Sequence, residues 1–185
     1  NNLSVISGLL NLELENLKDE HSRNIFQNSI TRINSLSSIY EQLYSADDIS
    51  KIDVNLYLSN LIELVGKTYK IKDNIVIVSS VDKNTFIDLK RSVLIGLIFN
   101  ELITNSIKYS YVDGNEGIIE TGFKIEDQTA KLFVKDHGIG MPLGYDIESG
   151  KSLGLKLVKM LTEQLDGEFK ITSVKGTHTE ISFML

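Results

Sequence analysis

Cysteine is absent from the 185 residues, which excludes disulfides, thiolate nucleophiles and zinc–thiolate sites. Proline occurs once, at Pro142. Long apolar runs are missing too. The strongest, Val93 to Phe99, is far shorter than the roughly 20 residues of a membrane-spanning helix. No signal-peptide pattern opens the chain, which begins at Asn1-Asn2-Leu3 without an initiator Met. Positive charge is in deficit: 19 Lys and Arg stand against 25 Asp and Glu, a net −6, which argues against a broad nucleic-acid surface. Apolar residues are not scarce. At 42 % they can build a real core, and with 24 % charged residues the chain is neither disordered nor fibrous in type. The length suits one large domain or two small ones. The composition points to a soluble protein of a reducing compartment and leaves open a membrane-tethered parent.

Leu3, Ile6, Leu10, Leu14 and Leu17 recur at spacings of three and four, which predicts a helix with one apolar stripe over residues 3 to about 18. Lys18-Asp19-Glu20 breaks it. A second helix is predicted from His21 to Tyr44, with Phe26, Ile30, Ile33, Leu36, Tyr40 and Leu43 on one face. The two make an αα-hairpin whose stripe needs a cover. A second hairpin in a four-helix dimer supplies one; packing on the rest of the chain is the other solution. The expected organisation is a hairpin over 1–45, a linker over 46–52 and a second domain over 53–185.

In that second domain Asp53 reads as an N-cap of a helix carrying Val54, Leu58, Leu61, Ile62 and Val65. Asn74–Ser80 reads as a strand and Thr85–Leu89 as a short one. Residues 90–109 form a long helix. Gly117–Glu126 and Thr129–Asp136 read as strands joined by Asp127-Gln128. Residues 138–154 hold five of the thirteen glycines and the proline, and read as a loop. Ser152 opens a helix that Gly167 closes. Strands Glu168–Val174 and Thr177–Leu185 follow, around Lys175-Gly176. Helices and strands mix without βαβ alternation, which predicts an α+β sandwich with helices on one face of a mostly antiparallel or mixed sheet.

Three clusters could carry chemistry. On the long helix, Glu101, Asn105 and Lys108 fall within about 60° of one another, with Ile95, Phe99, Leu102 and Ile103 opposite. An amide oxygen suits Mg²⁺, an ammonium pairs with phosphate, and a carboxylate can orient or deprotonate a nucleophile. A solvated polar helix face would carry the same residues. Asp136-His137-Gly138-Ile139-Gly140 follows a strand. Its carboxylate can accept from an exocyclic amino group, and its glycines let backbone approach a flat ligand; ordinary turns have this pattern too. Gly150-Lys151-Ser152-Leu153-Gly154 enters a helix whose free N–H groups favour phosphate, or is simply a Ser-capped helix start.

The order of these clusters resembles the GHKL ATPase superfamily, which includes gyrase-type, heat-shock and mismatch-repair ATPases and histidine kinases. Glu101-Leu-Ile-Thr-Asn105 resembles its N box, Asp136-His-Gly138-Ile-Gly140 its G1 box, Ser152-Leu-Gly154-Leu a shortened G2 box, and Gly176-Thr177 the start of its last strand. The front hairpin, with Asn1-Asn2-Leu-Ser-Val-Ile-Ser-Gly-Leu-Leu, Arg32-Ile-Asn-Ser-Leu and Glu41-Gln-Leu-Tyr44, is similar to the dimerisation and phosphotransfer hairpin of two-component sensor histidine kinases. More narrowly, it is similar to the subclass whose first helix reads His-Arg-Val-Lys-Asn-Asn-Leu.

That resemblance implies a GHKL-type ATP-binding domain that uses ATP and Mg²⁺ and passes the γ-phosphoryl to a histidine, then to a response-regulator aspartate. Asn105 would hold Mg²⁺ and Lys108 would contact phosphate. Tyr109 would lie near the nucleotide, and Asp136 would take the adenine amino group. Gly138 and Gly140 would shape the base pocket, and Thr177 would support Asp136 through a hydroxyl or water. Ser152, Leu153 and Gly154 would form the lid entry, and Glu101 would assist transfer. The family's acceptor histidine lies a few residues before the Asn-Asn pair, so it is expected upstream of Asn1. His21, His137 and His178 are poor replacements. The implied partners are a second copy through the hairpin and a response-regulator receiver domain, without nucleic acid, in the cytoplasm. An ATP-binding regulatory module without kinase output is the alternative; a GHKL ATPase coupled to large conformational work fits the hairpin poorly. Replacing Asn105 by Asp is expected to abolish Mg-ATP binding or phosphoryl transfer, and wild-type activity in that variant would refute the metal assignment.

Overall fold

The computed structural model describes residues 2–20, 22–23, 26–27, 29–30, 33–34, 37, 51–69, 74–111, 116–142, 144–145 and 153–185. The chain divides into two compact units, Asn1–Ile49 and Ser50–Leu185.

The first unit is helical. Helix α1 spans Asn2–Asn16. Arg23 then donates from its guanidinium to the carbonyls of Leu14 and Leu17 at 3.2 and 3.1 Å, satisfying acceptors that a helix end leaves open. The Asp19 carboxylate accepts from the Ser22 amide and hydroxyl at 2.8 and 2.7 Å, so the polar break also caps the second helical stretch. Every described residue from Glu20 to Ser37 is helical. The expected end of that helix near Tyr44 and residues 46–50 of the expected 46–52 linker lie outside the described residues, and Ile52 belongs to a strand.

The seam of this unit departs from the predicted stripe. Leu10, Leu14 and Leu17 are half-buried and Ile30 is buried, but Ile6 is 46 % exposed. Ser7 is buried instead, and its hydroxyl donates to Asn34 Oδ1 at 2.6 Å. A satisfied polar pair can occupy a seam position that hydropathy assigns to a neighbour. Ile6, Leu9 and Leu12 consequently stand exposed along α1.

The second unit is a mixed sheet covered by helices on one face. Strand β1 (Ile52–Asp53) pairs antiparallel with β3 (Phe86–Ile87). The main sheet contains β2 (Ile75–Val81), β4 (Gly117–Glu126), β5 (Thr129–Asp136), β6 (Glu168–Ser173) and β7 (Thr177–Met184) in the order β2-β4-β5-β7-β6. Among the described strand pairs of this sheet only β2–β4 is parallel. Asp127 and Gln128 both take left-handed φ, 46° and 68°, as a tight two-residue hairpin requires.

Helices α2 (Val54–Tyr69), α3 (Leu89–Tyr109) and α4 (Leu153–Gln164) supply the covering layer. Ile119 and Phe123 on β4, Leu132 and Val134 on β5, and Ile181 and Phe183 on β7 alternate inward against Ile95, Ile98, Phe99 and Ile103 of α3. Each such side chain contributes roughly 1.5–3 kcal/mol on burial. The predicted α+β sandwich is therefore the observed fold. No described helix is long and apolar enough to cross a membrane.

The ends of α2 and α4 differ in how far residue type foretells them. Asp53 Oδ1 accepts from the Leu56 amide at 3.1 Å, the cap expected for α2. At the end of α4 the left-handed residue is Asp166 (φ 52°), not Gly167. Gly167 is required for a different reason: a Cβ there would lie 2.6 Å from the Ser182 carbonyl on β7.

Asp88 caps α3, accepting from the Arg91 amide at 2.9 Å and pairing with its guanidinium at 2.5 Å. Burial pushes the Asp88 carboxyl up, but the amides of Arg91 and Lys90 and the Arg91 guanidinium outweigh it and hold it below its usual value. A lowered folded value stabilises above the unfolded value and is lost as pH falls through the folded one. Asp88→Ala should therefore cost about 1 kcal/mol in urea unfolding at neutral pH. That cost should begin to shrink as pH falls below about 4, where the unfolded carboxyl takes up its proton, and should reach its minimum only below the lowered folded value, where both states are protonated.

Candidate functional site

The second unit holds an open cleft of about 700 Å³ between the last turns of α3, the ends of β5 to β7, the segment after β5 and the start of α4. Cavities of this size hold nucleotide-sized ligands. Leu102, Val134, Ile139, Met141, Leu155 and Ile171 make its wall largely apolar. Asn105, Lys108, Asp136, Thr177 and Thr179 bring polar groups to it.

Asp136 sits at the carboxyl end of β5 and is only 2 % exposed. A buried carboxylate needs donors. Its Oδ1 accepts from the amides of Gly138 and Thr177, both at 3.1 Å, and its Oδ2 accepts from the Ser106 hydroxyl at 3.1 Å. Oδ2 thus retains acceptor capacity for a donor within the cavity. Thr177 serves through its backbone, whereas the sequence suggested its hydroxyl or a water.

Two glycines make this close fit possible. Gly176 adopts φ +80°, and a Cβ there would lie 2.0 Å from the Asp136 carbonyl oxygen. At Gly138 a Cβ would lie 2.2 Å from the Ser110 carbonyl oxygen, where the end of α3 packs against the segment leaving β5. Gly140 lines the cavity; Gly138 borders it through its bond to Asp136.

On α3, Asn105, Lys108 and Tyr109 reach the cavity together. The Asn105 carboxamide makes no hydrogen bond to any described residue. The Lys108 ammonium lies 5.1 Å from the centre of the Tyr69 ring, a cation–π contact with the end of α2. Glu101 differs from its expected place on a wet row: it is 4 % exposed and does not line the cavity. Leu102, assigned by helical angle to the opposite side, does line it. Packing of α2 and α4 around α3 buries nearly its whole circumference, including Asn100 and Thr104. Asn100 Oδ1 and Thr104 Oγ1 are buried without a hydrogen-bond partner among the described residues.

The lid entry is less assembled. Ser152 lies outside the described residues, Leu153 is 61 % exposed and Gly154 is buried; Leu155 is the residue of this group on the cavity wall. Met141, Pro142 and Tyr145 line the cavity from the segment after β5. The Met141 amide donates to Ser173 Oγ at 2.7 Å, and that hydroxyl donates to the Gly176 carbonyl at 3.0 Å. His137 turns to the sheet surface, its Nε2 2.5 Å from Glu120. His137 and then Lys135 hold the Glu120 carboxyl below its usual range.

Sequence reasoning missed Ser106, Tyr69, Met141, Tyr145 and Thr179. Ser106 was findable, since it directly follows Asn105 on the same helix. Tyr69 carried no signal, because no spacing rule links position 69 to 108.

Comparisons with known proteins agree with this architecture. Residues 91–185 match the model described as histidine kinase-, DNA gyrase B-, and HSP90-like ATPase, and residues 1–69 match one described as histidine kinase. The chain belongs to the histidine kinase-, DNA gyrase B- and HSP90-like ATPase family, and it joins a histidine kinase phosphoacceptor region to an ATP-binding domain. It is 22 % identical over 183 residues to the sensor histidine kinase PdtaS of Mycolicibacterium smegmatis, covering 98 % of this chain and 36 % of that one. It is 27 % identical over 89 residues to blue-light-activated histidine kinase 2 of Erythrobacter litoralis, covering 48 % of this chain and 25 % of that one. The chain thus spans about a third of the length of the curated relatives that it matches over 98 % of its residues. Among solved structures, the histidine kinase domain of the Erythrobacter litoralis EL346 blue-light-activated kinase superposes with a TM-score of 0.75. That pair is 18 % identical, covering 100 % of this chain and 94 % of the other. The mycobacterial sensor histidine kinase MprB gives 0.57 at 19 % identity, covering 73 % and 96 %.

Gly176→Ala must either strain φ or displace the Asp136 peptide. It should lower the unfolding free energy by more than about 1 kcal/mol in urea denaturation. ATP binding, measured by titration, should weaken in parallel.

Proposed function

We propose that this chain is the catalytic core of a sensor histidine kinase. It binds Mg-ATP in the second unit and passes the γ-phosphoryl to a histidine of the helical hairpin region, from which a response-regulator aspartate receives it. The carrying observation is the buried Asp136, held by three donors with acceptor capacity left on Oδ2, on the wall of a cavity that also takes an amide and an ammonium from one helix.

Asp136 accepts the adenine amino group through its remaining lone pairs, and Gly138 and Gly140 shape the space for the base. Lys108 leaves or shares its contact with Tyr69 to meet phosphate oxygens. Tyr109 borders the triphosphate, and Thr177 keeps Asp136 in place through its amide. Ser152, Leu153 and Gly154 form the lid entry at the start of α4.

Asn105 is the residue that would hold Mg²⁺. Its carboxamide is an oxygen donor on the cavity wall, and no cluster of three or more His, Cys, Asp or Glu competes among the described residues. Mg²⁺ takes few protein ligands and fills its octahedron with water and phosphate, where it neutralises phosphate charge. Glu101, buried one turn before Asn105 and off the cavity wall, assists the transfer from behind that wall rather than by touching the reacting atoms; in the transfer the bond from the γ-phosphorus to the bridging oxygen breaks, one to an imidazole nitrogen forms, and ADP leaves. The exposed Ile6, Leu9 and Leu12 of α1 support a homodimer through the hairpin. The location that suits such a core is the cytoplasm.

The test is incubation of the full-length protein with Mg²⁺ and γ-labelled ATP. Acid-labile, base-stable label on the protein that moves to a receiver domain supports the kinase. Tight ATP binding with no label transferred overturns it in favour of a regulatory nucleotide-binding module. Asp136→Asn should weaken ATP binding at least about tenfold, since a group recognising a hydrogen-bond donor through a buried charge is lost.

A further inference from the structure

Strands β4 and β5 pair in register up to Ile119 opposite Asp136. The next opposed residues, Ile118 and His137, fall outside the β5 ladder. The Tyr111 hydroxyl lies between them. It donates to the Ile118 carbonyl at 2.6 Å and accepts from the Ile118 amide at 3.1 Å and the His137 amide at 3.0 Å. A phenol has one donor and two acceptor sites, so this group is saturated. Its ring lies against Gly117, where a Cβ would sit 2.2 Å from the ring.

Tyr111 stands two residues beyond α3, the helix that carries Asn105 and Lys108. The residue between, Ser110, accepts at its carbonyl from the Ile139 amide at 3.1 Å. Ser110 and Tyr111 therefore hold the His137–Ile139 segment at two points. The His137 amide belongs to the same peptide plane as the Asp136 carbonyl, so fixing it restricts rotation about the Asp136 backbone and the direction of the carboxylate.

We propose that Tyr111 is a positioning residue for base recognition: its hydroxyl locks the peptide after Asp136 so that the carboxylate faces the 6-amino group of the purine. The inference rests on the nucleotide reading above. It predicts an effect confined to the amino group, because Tyr111 does not line the cavity.

The experiment compares wild-type and Tyr111→Phe full-length protein in titrations with Mg-ATP and with the triphosphate of purine riboside, which lacks the 6-amino group. Phe keeps the ring against Gly117 and removes only the hydroxyl. The expected result is about a tenfold loss of affinity for ATP, with the purine analogue bound within about twofold of wild type. KM for ATP should rise with kcat unchanged, and exchange of the His137 amide should accelerate. Equal losses for both nucleotides, or a wild-type preference for ATP that survives the substitution, overturns the positioning role alone. A wild-type protein that binds neither nucleotide overturns the nucleotide reading and this inference with it.

Discussion

The second unit is organised around one buried carboxylate. Asp136 is taken out of water at the end of β5, and three donors from three different parts of the chain compensate it. Each donor imposes a condition elsewhere. Ser106 fixes the rotation of α3 against the sheet. The Gly138 amide makes the chain turn back on itself directly after β5. The Thr177 amide draws the start of β7 close, which forces Gly176 into a left-handed conformation that other residues adopt only under strain. The cavity exists because these three conditions are met together, and the polar group on its wall is the one that imposed them.

The same economy appears in α3. It is buried on nearly every side, by the sheet, by α2 and by α4, yet it carries Asn100, Glu101, Thr104, Asn105, Ser106 and Lys108 along its second half. A helix built for stability alone would be apolar there. Side chains with polar ends inside a packed layer are costly unless they serve a ligand or one another. Here Ser106 serves Asp136, Lys108 rests on Tyr69, and Asn105 stays available at the cavity. Function has been fitted into the core helix rather than onto a peripheral loop, which holds those groups in fixed mutual geometry.

The secondary structure of the second unit was readable because its signals are local. Alternation marked β4 and β5, the Asp127-Gln128 turn came from the interval between them, and the Asp53 cap came from residue type. Misreadings arose where a distant contact overrode a local rule. Gly167 reads as a helix-ending glycine, but Asp166 takes the left-handed conformation and Gly167 yields to the Ser182 carbonyl. Ile6 reads as a seam residue, but the Ser7–Asn34 pair occupies the seam. Glu101 reads as one member of a wet row, but packing against α3 from both sides closes over it.

What the sequence determined by itself is the inventory and its order: an amphipathic hairpin, a long helix with an amide and an ammonium three residues apart, a strand ending in aspartate, and glycines spaced beyond it. These depend on periodicities of about 3.6 and 2 and on residue type, which travel with the chain. Only the tertiary structure decided which of those groups meet. That Asp136 is served by Ser106 and the Thr177 amide, that Lys108 lies on Tyr69, and that Tyr111 clamps the peptide after Asp136 all join residues 26 to 41 positions apart. Such pairings arise from strand register and helix packing, and no local pattern encodes them.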